Sequence, residues 1–269
     1  MVRKRFLFIA ILFGYGILLN AQIKIASWNL CNFGKSKSDE EIAFIANTVK
    51  NIDILAIQEV SESYYGPQAV AKLAEELNRK GSKWDYAISE ATNGKGRERY
   101  AFIWKTSKIS LKEKPTLAKS LDEAIDREPF VAKFKTNEKF EFAIATFHAV
   151  PKSKEPWREC KHLHKLSEIF PKENLMLMGD FNLSEKHLSF DKLKKTGLIP
   201  ALVNVKTSIK MEQRGNEKFA NEYDNVFYDS AKFKILKSGI LDFTDKFPNL
   251  KEARKISDHV PVYVEVEQK

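Results

Sequence analysis

Four oxygen-bearing side chains fall just after apolar runs: Asn29 after IKIASW (23–28), Glu59 after DILAIQ (53–58), and Asp180 and Asn182 after NLMLMG (174–179). Taken singly, such a residue is most often a turn or cap. Four at the ends of strand-like runs point to the rim of a sheet, where a site can be held rigidly without being buried. Carboxylate and amide oxygens suit a hard cation such as Mg²⁺ or Ca²⁺, and no Cys/His spacing typical of zinc is present. Two histidines occupy comparable places. His148 closes FEFAIATF (140–147) and His259 follows Asp258 before VPVYVEV (260–266), so each imidazole could move a proton near neutral pH. His162 and His164 fall instead on a helix expected after Pro156. There Cys160 and His164 could face one metal, but a solvated helix face is the preferred reading. His187 reads as surface.

The elements that must position these groups are legible as runs of β-branched and aromatic residues. Strands are expected at 23–28, 53–58, 84–89, 100–105, 130–135, 140–147, 174–179, 224–228, 233–238 and 260–266, with Trp28, Tyr100 and Phe147 in the core. Helices are expected at 39–50, where Ser38 and Glu41 form a capping box, at 68–80 ending on Gly81, after Pro156, and at 189–196. The stretch 204–222 reads as a long surface loop and 244–257 as a short helix plus loop. Strands without regular helix alternation imply an α+β layered sandwich rather than a doubly wound sheet. No linker or repeat is visible, so residues 22–269 are read as one domain.

The chain has 269 residues, 43% of them hydrophobic, and 2 Cys, which excludes collagen, a disordered tail and a disulfide-stapled miniprotein. Arg3, Lys4 and Arg5 precede an apolar run from Phe6 to Leu19 and then Asn20-Ala21, the layout of a secretory signal peptide over 1–21. Loss of that segment removes three basic residues and lowers the net charge from +9 to +6. The product is expected to be secreted or periplasmic, without a membrane span. Cys31 and Cys160 are read as two buried free thiols, a disulfide being the alternative in an oxidising compartment.

The segments ASWNLCNFG (26–34), LAIQEV (55–60), RERYAFIW (97–104), DREPFVAKF (126–134), FHAVP (147–151), LMLMGDFN (175–182), EYDNVFYD (222–229) and ISDHVPVYVEV (256–266) together resemble the ordered motifs of the endonuclease/exonuclease/phosphatase superfamily, closest to its deoxyribonuclease I branch. The resemblance covers essentially all of the chain after residue 21. It implies a four-layer αββα sandwich of two packed mixed β-sheets flanked by helices, and a secreted endonuclease that hydrolyses DNA, double-stranded for preference, to 5′-phosphate products as a monomer. It also implies a cofactor: Mg²⁺, with Ca²⁺ beside it or Mn²⁺ in its place.

Residue by residue, the resemblance implies metal binding by Asn29, Glu59, Asp258 and Asp180, and orientation of water and phosphate by Asp180 and Asn182. It pairs His148 with Glu98 and His259 with Asp224 as the acid–base groups, without saying which histidine is acid and which base. Arg127 and Asn182 would contact a substrate phosphate. Lys152, Lys154, Arg158, Lys161 and Lys165 would usually be a solvated helix face, but beside a phosphate site they would also attract a polyanion.

Three departures from the branch stand out. The arginine and tyrosine that reach into the DNA minor groove are replaced by Ser61 and Gly96, and the cysteine that staples the loop before the EYD motif is Asn221, which is expected to leave that loop more mobile. These departures keep a second reading open, a phosphoesterase acting on RNA, sphingomyelin or phosphoinositides. A binding protein on a dead enzyme scaffold is disfavoured, because no expected catalytic position is missing.

Overall fold

The computed structural model of the chain describes residues 22–269, so the signal peptide expected over 1–21 lies outside the described residues. In chain order the elements are β1 (Ile23–Phe33), α1 (Asp39–Val49), β2 (Ile54–Val60), α2 (Tyr65–Asn78), β3 (Trp84–Ile88), β4 (Arg99–Lys105), β5 (Ile109–Leu111), β6 (Thr116–Leu117), β7 (Phe130–Thr136), β8 (Glu141–His148), α3 (Trp157–Cys160), α4 (Lys165–Ile169), β9 (Leu175–Asp180), α5 (Asp191–Lys195), β10 (Leu198–Pro200), β11 (Ile209–Arg214), β12 (Glu217–Phe219), β13 (Asp224–Asp229), β14 (Phe233–Ile240), α6 (Leu250–Ala253) and β15 (Val262–Gln268).

One sheet has the order β14-β15-β1-β2-β4-β3 and the other β10-β13-β9-β8-β7-β5, with β6 beside β7. Each contains one parallel pair, β1 with β2 and β8 with β9, in otherwise antiparallel surroundings. Their strands are apolar on both faces because both faces are covered. Ile23 and Ile25 of β1, Phe102 of β4, Phe130 of β7, Ile144 of β8 and Met176 and Met178 of β9 fill the layer between the sheets. The alternate residues turn outward. Ala26 and Trp28 pack under α1, α2 and α6, and Ala143, Ala145, Phe147, Leu175 and Leu177 pack under α3, α4 and α5. Phe102 stacks on Phe130 across the sheets at 5.4 Å, a contact worth about 0.5–1.5 kcal/mol beyond its burial. The result is the α+β, four-layer αββα sandwich.

The capping box of α1 forms, with Glu41 N donating to Ser38 Oγ at 3.2 Å and Ser38 N donating to Glu41 at 2.8 Å. Two other expectations need correction. The helix after Pro156 is broken into α3 and α4: between His162 and Ser167 the backbone tightens, with His162 N, Leu163 N, Lys165 N, Leu166 N and Ser167 N each donating to the carbonyl three residues back, and His164 Nδ1 lies 2.8 Å from the Lys161 carbonyl. Cys160 is therefore buried in the outer core while His164 sits in the turn, and the two do not share a helix face. The stretch 204–222 is not a plain loop either: it contains the β11–β12 hairpin, turning at Gly215. Both cysteines are free; Cys160 is buried, as expected, but Cys31 is half-exposed.

Gly179 in β9 has φ +145, and a Cβ there would lie 1.8 Å from the Phe147 carbonyl oxygen of β8. Any side chain would push apart the parallel pair that carries His148 and Asp180. Gly179→Ala should therefore cost about 3 kcal/mol or more in urea unfolding; a loss below about 1 kcal/mol would contradict this reading of the β8–β9 contact.

Candidate active site

The two sheets bring all ten of the singled-out residues to one rim. Asn29 lies in β1, Glu59 near the end of β2, Glu98 just before β4, Arg127 before β7, His148 and Asp180 at the ends of β8 and β9, Asn182 two residues later, Asp224 at the start of β13, and Asp258 and His259 before β15. Register does much of this work: Asp180 pairs with His148 on one side and with Asp224 on the other. The rim opens into a cleft of about 650 Å³ lined by Glu59, Glu98, Arg127, His148, Asp180, Asn182, Asp258 and His259.

At its centre the two imidazoles converge on one oxygen. His148 Nε2 and His259 Nε2 each lie 3.5 Å from Asp180 Oδ2. Behind them His148 Nδ1 is 2.9 Å from Glu98 Oε2, and His259 Nδ1 is 2.6 Å from Asp224 Oδ2. A carboxylate behind an imidazole fixes its tautomer and favours its charged form. Burial opposes a proton on His259, but Asp224 and then Asp180 outweigh it and push its pKa up to about 10. Burial likewise opposes charge on His148, and Glu98 outweighs it, so that pKa is raised too. Burial disfavours the Asp180 carboxylate, yet His259 and His148 hold its pKa below the ordinary value. Asp224 is raised, by burial and then by the neighbouring charge of Asp180, against the pull of His259.

Arg127 Nη1 donates to Glu98 Oε2 at 2.8 Å and Nη2 donates to the Ala149 carbonyl, while its Nε is buried without a partner among the described residues. Asn182 N donates to Asp180 Oδ1 at 2.9 Å and its side chain donates to the Ala149 carbonyl at 3.1 Å. Arg127 and Asn182 thus both hold the turn after His148.

The other flank is acidic. Asn29 Nδ2 donates to Glu59 Oε1 at 2.9 Å and to Asp180 Oδ2 at 3.0 Å, tying the two sheets together at the rim. Its Oδ1 accepts from Cys31 N at 3.0 Å and keeps a second lone pair. Glu59, Cys31, Asn32 and Asn182 all have positive φ, strain of a kind found where a site over-determines the backbone. The Cys31 thiol is pushed up to about 11, first by burial and then by the charges of Asp258 and Glu59. Such excess negative potential on oxygen donors fits a hard divalent cation. One oxygen each from Asp180 and Asp224 and one nitrogen of His259 also lie within 4.8 Å of one another, so Asp180 is shared between the acidic flank and the histidine pairs.

Four supporting residues were not singled out beforehand. Thr207 Oγ1 donates to Asp224 Oδ2 at 2.6 Å and accepts from Asp224 N at 3.0 Å. Ser257 Oγ donates to the Asn29 carbonyl at 2.5 Å and accepts from His259 N at 3.0 Å. Gln58 bridges the sheets through Ser27 Oγ at 2.9 Å and Thr146 Oγ1 at 2.7 Å. Glu159 accepts from Asp126 N at 2.6 Å and Val150 N at 2.8 Å, joining the Arg127 and His148 turns. Ser257 is the serine of the SDH motif and Gln58 the glutamine of the QE motif, so their positions carried a signal; Thr207 and Glu159 had none. Asn221, where the branch has its staple, hydrogen-bonds through its N and Nδ2 to Ser208 Oγ at 3.0 and 3.1 Å.

Residues 26–259 match the Endonuclease/Exonuclease/phosphatase family. A deoxyribonuclease from Thioalkalivibrio sp. (strain K90mix) is 27% identical over 91% of this chain and 71% of its own length. Deoxyribonuclease gamma from Homo sapiens is 26% identical over 84% of each chain. In fold, the chain is similar to an endonuclease/exonuclease/phosphatase from Bacteroides vulgatus, with a TM-score of 0.67 over 93% of this chain and 100% of that one at 16% identity. With its two imidazole–carboxylate pairs and acidic flank at the rim of an αββα sandwich, the chain belongs to the Endonuclease/Exonuclease/phosphatase family and is a hydrolase of phosphodiester bonds.

Proposed function

We propose that the protein is a divalent-metal-dependent endonuclease that hydrolyses double-stranded DNA to 5′-phosphate products, acting as a monomer outside the cytoplasm after loss of residues 1–21. The observation that carries this reading is the convergence of His148 and His259, each backed by a carboxylate, on Asp180. Hydrolysis needs a water in line with the leaving oxygen, neutralised non-bridging oxygens and a proton for the leaving group. One imidazole takes the proton of the attacking water as its oxygen bonds to phosphorus. The other gives a proton to the 3′ oxygen as the P–O3′ bond breaks. Glu98 and Asp224 hold the two rings in register, Asp180 and Asn182 would orient water and phosphate, and Arg127 would neutralise a phosphate oxygen. Glu59, Asn29, Asp258 and Asp180 would hold Mg²⁺, which supplies Lewis-acid stabilisation of the phosphate charge when bound.

Incubation of the protein and Mg²⁺ with plasmid DNA, RNA, sphingomyelin and phosphoinositide tests the reading: DNA should be the substrate degraded fastest, and salt should inhibit steeply if lysines hold it. Turnover of a lipid with DNA left intact would reverse it in favour of the second reading, which Ser61 and Gly96 favour, since both line the cleft without a side chain suited to reading a DNA groove.

A further inference from the structure

We propose that Trp157 and His187 form a stacking platform for an unpaired nucleobase next to the scissile phosphate, so that the protein grips single-stranded or locally opened DNA at this place. The inference rests on the DNA-hydrolysing reading and adds a subsite to it. Trp157 opens α3 and is 36% exposed, whereas Trp28, Trp84 and Trp104 are at most 5% exposed. Its ring stacks on that of His187, with centroids 6.1 Å apart and planes 29° from parallel. The imidazole is itself fixed, because His187 Nδ1 accepts from Ser189 N at 3.2 Å and meets Ser189 Oγ at 3.1 Å. Two exposed rings held in place offer a flat π-face at little entropic cost, which is what base stacking requires.

The platform belongs to a recess of about 420 Å³ lined also by Lys152, Lys206, Asn182 and Tyr223. Asn182 lines the catalytic cleft too, and the Tyr223 ring lies 6.5 Å from that of His259, so the recess opens directly onto the reacting centre. Its charge suits a nucleotide. Among the described residues Lys152 has no ion-pair partner, and Lys206 has only the exposed Glu217 at 3.8 Å. The carboxylate of Glu222 in the same recess is engaged by Ser184 Oγ at 2.6 Å and Lys186 at 3.8 Å. Two cations beside an aromatic face match a backbone phosphate beside a base. The π-face of a base is available only once it has left its own stack, which selects an unpaired nucleotide over an intact duplex.

Residues 1–21 contain no tryptophan and Trp28, Trp84 and Trp104 are buried, so the acrylamide-accessible part of the emission, identified as the part lost in Trp157→Phe, reports the platform. In chelator, a short oligodeoxythymidylate should quench that emission and shield it from acrylamide, and the same backbone with abasic sugars should do neither. Trp157→Ala should weaken binding of a labelled oligodeoxythymidylate about tenfold and lower the ratio of single-strand to duplex cleavage by a similar factor, and Trp157→Phe should recover most of both. Absence of base-dependent quenching, or an unchanged ratio in Trp157→Ala, would overturn the platform while DNA hydrolysis stood. Base-dependent quenching by a protein that hydrolyses no DNA would support the platform and sink the nuclease reading.

Discussion

Asp180→Asn should lower Mg²⁺-dependent DNA cleavage about a thousandfold while the protein stays folded. The substitution keeps the volume and the Oδ1 that accepts from Asn182 N. It removes the charge from Oδ2, the one oxygen that faces both imidazoles at 3.5 Å and accepts from Asn29 at 3.0 Å. It would thereby disturb the acidic flank and the acid–base pairs together. A second readout separates this from simple damage. The folded-state pKa of His259 is raised from 6.5 to about 10, so in chelator its proton adds stability that is complete below pH 6.5 and is lost as pH climbs through about 10. Without the Asp180 charge that upper limit should fall, visible in an NMR titration of the ring. A variant with near wild-type cleavage and an unmoved His259 titration would contradict the assignment.

His148→Ala and His259→Ala should each lose about 10²–10⁴-fold in cleavage, the range for removal of a general acid or base. Both rings are buried against a carboxylate, so each alanine also takes a partner from Glu98, which keeps Arg127, or from Asp224, which keeps Thr207. Melting temperature must therefore be measured beside the rate. Glu98→Gln keeps the side chain's size and removes the charge that faces both His148 and Arg127. It should cost less than His148→Ala, because Glu98 acts through the ring. Full activity in both alanine variants would end the proposed mechanism.

The layered fold and the rim were legible because their signals are periodic or clustered. Runs such as FEFAIATF and NLMLMG alternate between two cores, and polar groups fall where those runs stop. What escaped was whatever depends on a contact distant in sequence. Thr207 sits in a polar stretch with no pattern, and only folding brings its hydroxyl 2.6 Å from Asp224. The same stretch pairs with the SDH segment, Ile209 N donating to the Asp258 carbonyl at 2.7 Å and Val260 N to the Thr207 carbonyl at 3.0 Å, which is why it is not a free loop. The break between α3 and α4 is a local tightening of the backbone to bonds three residues apart between His162 and Ser167, invisible to helix periodicity. Asn29 shows a finer limit. Its place at the rim was evident from sequence, but not that its amide would bridge Glu59 and Asp180 and so lock one sheet to the other.

The most direct measurement is plasmid cleavage by the purified protein with Mg²⁺ and with chelator, followed by analysis of the ends. Nicked and linear DNA bearing 5′-phosphates with Mg²⁺, and intact plasmid with chelator, is the predicted result. Intact plasmid under both conditions, or equal cleavage under both, would contradict a metal-dependent nuclease at this rim.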